Sequence, residues 1–209
     1  MITIAEAQHY YKTADVVHNF DHVLRVLRLA ERIGREEGAD LEIVRAAVLL
    51  HDVGRETAES TGLDHAVFAA ARAREILADQ PPATVEAVTH AIAAHRFRTS
   101  PQPATLEAQV LFDADKLDAI GAIGVARAFA YGGTQEQRLW APADSIDVTR
   151  WMVEGDDPQS HTPVHEFVVK LSRLREHLFT ATGRRIAQGR HDFMVAFFEQ
   201  LDAEVRGER

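Results

Sequence analysis

The chain has 209 residues, 46% of them hydrophobic, with no cysteine and a formal charge of -9. That length suits about one domain and can bury a core without covalent staples, while the missing cysteine excludes disulfide and thiol chemistry. The negative charge disfavours a polymeric nucleic acid as partner, and no apolar run approaches the roughly 18 residues that span a bilayer. Residues Met1 to Lys12 carry Glu6 and lack a basic start followed by an apolar run, so no secretion signal is expected. A cytoplasmic location away from membranes is the expectation. The sequence leaves oligomeric state open.

In chain order, almost every segment repeats its apolar residues at helical spacing. Val23, Leu27, Ala30 and Ile33 make one stripe, and Ile43, Ala47 and Leu50 make a second that runs into His51. Phe68, Ala71 and Ile76 mark a third helix; Val85, Val88, Ile92 and His95 mark a fourth. Residues 111–129 read as a helix of small and apolar residues interrupted by acids. Phe167, Leu171, Leu174 and Leu178 predict another helix, and Met194, Phe197, Leu201 and Val205 the last. Gly38, Gly54, Gly62 and Pro81-Pro82 act as stops. No alternating strand pattern appears, so the expected fold class is all-α.

Residues 132–163 break the helical pattern. The segment is rich in Gly, Pro and Asp and holds both tryptophans, Trp140 and Trp151, beside Met152. Long irregular segments in compact domains are often binding loops or lids, and a packed lid is expected here rather than a disordered loop.

Three short segments carry the chemistry. In VLLHDVGRE, residues 48–56, apolar residues lead straight into His51 and Asp52. A carboxylate buried there costs several kcal/mol unless it is paired or binds metal. The same dipeptide at His191-Asp192 reads as structural. In residues 111–129, Asp113, Asp115 and Asp118 would repel one another unless a cation or hydrogen bonds held them; a helix cap with a charged edge explains them equally well. In HNFDHVLRV, residues 18–26, His18 and His22 share a helix face and suit a metal or a solvated pair. His161 and His165 have the same spacing and are expected to bind nothing.

Together these segments resemble the HD superfamily, and within it a bacterial subfamily of small phosphohydrolases that includes nucleotide pyrophosphohydrolases. The resemblance runs through FDHVLRVLRLA, LLHDVGRE, the His65 helix, AIAAHRF, DADKLDAIGAIGVARAFAYGG and TGRRIAQGRHDF. It implies a helical bundle over residues 1–209. The core would lie at about 18–130, the loop or lid at 132–163, and C-terminal helices at 164–206.

By the same resemblance the metal ligands are His22, His51, Asp52 and Asp115. Two imidazoles and two carboxylates suit six-coordinate Mn²⁺, Fe²⁺, Co²⁺, Ni²⁺ or Mg²⁺ with two positions left over. Matching histidines bind a second metal in some branches, so a two-metal site is admitted. The expected catalytic residues around the metal are Asp118, Glu56, His90 and His95. Arg55, His65, Arg96 and Lys116 are expected to contact substrate phosphate. Glu56 falls where the superfamily's stringent-response hydrolases carry an important acid, whereas Arg55 replaces another of their acids. The implied activity is hydrolysis of a small phosphorylated molecule, most plausibly a nucleoside triphosphate to monophosphate and pyrophosphate. A phosphomonoesterase or phosphodiesterase, or a non-catalytic ligand-sensing or partner-binding module, are the alternatives.

Overall fold

The computed structural model describes residues 1–11, 19–96, 100–145 and 161–209. His18, Arg150, Trp151 and Met152 lie outside these, so the His18–His22 pairing and residues 146–160 of the expected lid do too. Among the described residues there is no strand, and the chain is all-α. No described helix is long and apolar enough to cross a membrane. The chain divides into two compact units, Met1–Lys116 with Leu178–Gly183, and Leu117–His177 with Arg184–Arg209.

The first unit is built around α3, Leu41–Leu50, whose Val44 and Ala46 to Leu50 are all buried. Only the strip through Glu42 and Arg45 is exposed, so a helix this apolar over the rest of its surface must be covered by neighbours. Packed against it are α1 (Ile4–Gln8), α2 (Phe20–Glu37), α5 (His65–Ile76) and α6 (Pro82–Ala93). The short α4, Arg55–Thr61, joins the layer on α5. Starts and stops follow local chemistry. Asn19, Asp40 and Asp64 accept from the first amides of α2, α3 and α5, the usual stabilising cap. Gly38 ends α2 at φ 82°, a left-handed conformation that costs glycine little.

One expected stripe is corrected. Helix α5 buries Ala66, Ala69 and Ala73, whereas Ala71 is exposed. Its inward face is built of small residues that let α6 approach closely, so the larger apolar side chains misjudged its orientation.

Helix α7, Leu106–Asp118, brings Asp115 into the first unit and ends two residues into the second. The expected continuous helix over 111–129 is broken: Gly121 at φ 79° starts α8, Gly121–Thr134. A Cβ on Gly121 would lie 2.9 Å from Arg190 Cγ, so both the conformation and the close approach require glycine. Asp118 therefore does not share one continuous helix face with Ala122 and Val125.

The second unit also holds a 3₁₀ turn at Ala143–Ser145, α9 (Pro163–Val169), a 3₁₀ stretch at Leu171–His177, and most of α10, Ala181–Val205. The single helix expected through Phe167 and Leu178 is interrupted at Lys170, which leaves helical geometry at φ -132°. Leu171 and Leu174 remain buried, because a 3₁₀ turn also returns every third residue to one face. Phe167 stacks on Phe198 at 4.5 Å, with Phe129 and Phe197 around them.

Candidate metal centre

The first unit delivers its chemical groups from helix ends. His22 is the third residue of α2; His51 and Asp52 follow the last residue of α3. His65 opens α5, His95 follows α6, and Asp115 sits in the last turn of α7. Helix ends leave backbone polar groups unpaired, and several of these orient the side chains.

His51 is fully buried, and its Nδ1 stands 2.7 Å from the carbonyl of Val48. A carbonyl can only accept, so Nδ1 carries the proton and the neutral ring offers a lone pair at Nε2. That Nε2 lies 3.3 Å from His22 Nε2 and 3.7 Å from Asp52 Oδ2. His22 Nε2 in turn stands 3.9 Å from Asp52 Oδ2 and 3.4 Å from Asp115 Oδ1. Donor atoms of His22, His51 and Asp52 lie within 4.8 Å of one another. Donors about 2.1 Å from one ion stand about 3 Å apart at right angles, so modest tightening would let these atoms share a cation. Asp115 adjoins this triplet through His22, and its Oδ2 accepts from Lys116 Nζ at 2.6 Å.

A second donor group shares the same carboxylate: Asp52, His65 and His95. His65 Nε2 is 3.9 Å from Asp52 Oδ1. His95 Nδ1 donates to the carbonyl of Ile92 at 2.6 Å, which again leaves Nε2 as the acceptor. The rings of His51 and His95, and of His65 and His95, pack at 5.2 and 5.3 Å. Arg55 Nη1 donates to both oxygens of Asp52, at 3.0 and 3.2 Å.

Electrostatics fixes the protonation states. Burial pushes the Asp52 carboxyl up, but His51, Arg55, His95 and His22 outweigh it and hold the group well below the usual carboxylate range. Asp115 is half-buried; desolvation raises its carboxyl, but Lys116 and His22 prevail and hold it well below that range. Burial, reinforced by Arg55, pushes His65 down to about 4; burial, reinforced by His51, pushes His95 down to about 3. At neutral pH the carboxylates are charged and these two imidazoles are neutral, the forms that bind cations.

The remaining expected residues are placed differently. Arg96 pairs with Asp64, the residue that caps α5 immediately before His65. His90 is half-buried and its Nε2 accepts from the amide of Ala104. Glu56 is exposed in the first turn of α4. Neither belongs to the two donor groups. Asp118 lies in the second unit, buried, with its carboxylate 2.8 Å from Arg127 Nη1. His161 there meets Glu166, His165 meets Ser145, and Asp192 accepts from Gln188.

Sequence reasoning missed two supports. Asp64 orients the start of α5, and its position just before a helical stripe was a readable capping signal. Tyr11 donates to the carbonyl of Leu49 at 3.0 Å, holding the last turn before His51. Burial and the charge of Asp52 push the Tyr11 phenol well up, so it remains a donor. Nothing in the sequence links residues so far apart.

Comparison with known proteins gives the family. Residues 19–120 match the HD domain family. The chain is 32% identical to YpgQ of Bacillus subtilis over 197 residues, 91% of this chain and 85% of that protein. The chain belongs to the HD superfamily. The crystal structure of B. subtilis YpgQ in complex with ADP resembles this HD protein with a TM-score of 0.71 at 29% identity, covering 96% and 92% of the two chains. An HD-superfamily hydrolase from Bacillus thuringiensis gives a TM-score of 0.74 at 28% identity, covering 97% and 94%. This HD protein is thus a metal-dependent phosphohydrolase.

Proposed function

We propose that residues 1–209 act as one phosphohydrolase domain that cleaves a nucleoside triphosphate to monophosphate and pyrophosphate. The divalent metal, Mn²⁺, Fe²⁺, Co²⁺, Ni²⁺ or Mg²⁺, would be held by His22, His51, Asp52 and Asp115. The observation that carries the reading is the convergence of His22, His51 and Asp52 donor atoms within 4.8 Å, in buried positions. YpgQ was crystallised with ADP, which supports a nucleotide with a phosphate chain as ligand. The resemblance to nucleotide pyrophosphohydrolases supports the choice of bond.

Once bound, the metal supplies Lewis acidity to the phosphoryl oxygens and to the attacking water. The protein's part is positioning and charge neutralisation, which dominate phosphoryl transfer. Arg55 and Lys116, held against Asp52 and Asp115, bring fixed positive charge to the edge of the donor cluster. Together with Arg96 they would bind the substrate's phosphates and stabilise departing pyrophosphate, a better leaving group than an alkoxide. Neutral His65 can donate or accept a hydrogen bond there, and neutral His95 offers Nε2 as an acceptor. Asp118 would orient a ligand or the attacking water, His90 would line the pocket, and Glu56 takes a catalytic role by resemblance. The net charge of -9 makes such a local cationic site necessary for an anionic substrate.

Product analysis with Mn²⁺, Co²⁺ or Mg²⁺ tests the reading. Monophosphate and pyrophosphate should appear together, with free phosphate only after inorganic pyrophosphatase is added. Direct release of phosphate would instead indicate a phosphatase, and binding without turnover a sensing module.

A further inference from the structure

Asp52 belongs to two donor groups at once, and its two oxygens divide between them. Oδ2 faces His51 at 3.7 Å and His22 at 3.9 Å, while Oδ1 faces His65 at 3.9 Å. By donor chemistry alone, one cation could sit on each side of this carboxylate. Arg55 bridges both oxygens, but its charge bears on the His65 imidazole as well. Arg55 Nη1 is 3.0 Å from Oδ1 and 3.2 Å from Oδ2, so a cation already bonds to the oxygen that the His65 side would have to use.

The backbone turn fixes where the Arg55 side chain starts. The Arg55 amide donates to the carbonyl of Asp52 at 3.2 Å, closing a turn across Val53 and Gly54. Gly54 takes φ +73°, and a Cβ there would lie 2.4 Å from Cε1 of Phe68 on α5. The turn is therefore pressed against the helix that begins with His65. It presents Arg55 at the second donor group, with 23% of its side chain exposed. Guanidinium stays protonated at any working pH and keeps its fork geometry.

On the reading that one metal is held by His22, His51, Asp52 and Asp115, on which this rests, we propose that Arg55 is a built-in second cation. It bonds to the Asp52 Oδ1 that a second ion would need, keeps the centre mononuclear, and leaves His65 and His95 free of metal to meet the substrate. A divalent ion at Asp52, His65 and His95 would compete for the same carboxylate oxygen and stand beside a like charge.

The experiment is titration of chelator-treated protein with Mn²⁺, read by calorimetry and by electron paramagnetic resonance. The wild type should bind one Mn²⁺ per chain and show the six-line spectrum of an isolated ion. Arg55→Met, which keeps the length and removes the charge, should bind two and give a broadened, spin-coupled spectrum. Arg55→Lys should stay at one, and adding His65→Ala to Arg55→Met should return the count to one. Circular dichroism of each variant shows that it is folded, and Arg55→Lys serves as a second folded comparison. Two Mn²⁺ in the wild type, or one in folded Arg55→Met, would overturn the proposal. No Mn²⁺ bound by the wild type would overturn the underlying metal centre, and the proposal with it.

Discussion

Nε2 of His22, on α2, stands 3.3 Å from Nε2 of His51, at the end of α3. The His51 nitrogen is an acceptor because its ring already donates from Nδ1 to Val48. Two buried imidazoles thus point their reactive nitrogens at one spot, with Asp52 beside them. Such an arrangement serves a cation better than it serves packing, since buried polar groups are costly unless they have partners.

The turn that carries His51 and Asp52 should be intolerant of a side chain at Gly54. Alanine there meets both the left-handed conformation and the ring of Phe68. The expected cost is about 2 kcal/mol or more. Thermal denaturation of Gly54→Ala should show the loss, and its Mn²⁺ affinity should fall as the two donors shift. Unchanged stability and affinity would mean that the turn is not a constraint.

Asp113 should matter for folding and not for metal. It is fully buried and accepts from the Phe179 and Thr180 amides at 2.9 and 2.8 Å and from the Thr180 hydroxyl at 2.6 Å. Removing a buried, multiply bonded carboxylate costs about 2–4 kcal/mol. Urea denaturation of Asp113→Ala should show that loss, while folded protein keeps its metal content. Metal lost from folded Asp113→Ala would move Asp113 into the centre.

The fates of the three α7 carboxylates show what sequence could and could not reveal. Their apolar setting announced that something must hold each one. Spacing could not say what, because the partners differ in kind and place: distant Thr180 for Asp113, distant His22 and adjacent Lys116 for Asp115, and Arg127 beyond a helix break for Asp118. The helical character of the chain was legible because apolar periodicity is a local property. Where helices break was less so. Gly121 and Lys170 end helical runs inside apolar patterns that read as continuous. His22, His51 and Asp52 were legible through a family pattern. The pairing of Arg55 with Asp52, two helix-end residues three apart, emerges only once the Gly54 turn is seen.

Asp118→Asn should separate catalysis from metal binding. Its carboxylate is buried and held by Arg127, so the change removes charge with little change of shape. Turnover should fall while metal content stays at the wild-type level. Loss of metal together with activity would make Asp118 a ligand.

In the second unit, Glu166 supplies a pH-dependent contribution. Burial raises its carboxyl, but the bonds and charges of His161 and Lys170 prevail and bring it down to about 2. A carboxyl lowered on folding stabilises above its unfolded value, near 4.5, and that contribution is lost as pH falls toward 2. With a quarter of the side chain exposed, solvent screening reduces the effect to about 1–2 kcal/mol. Glu166→Gln should lose this at pH 7, and the gap from wild type should narrow in denaturation curves taken below pH 4. A gap independent of pH would contradict the assignment.

The metal centre itself is tested most directly by elemental analysis of folded His51→Ala and Asp52→Ala beside the wild type, each dialysed against the same Mn²⁺. The wild type should retain about one metal per chain and both variants essentially none. Full occupancy in both variants would contradict a centre built on these two residues.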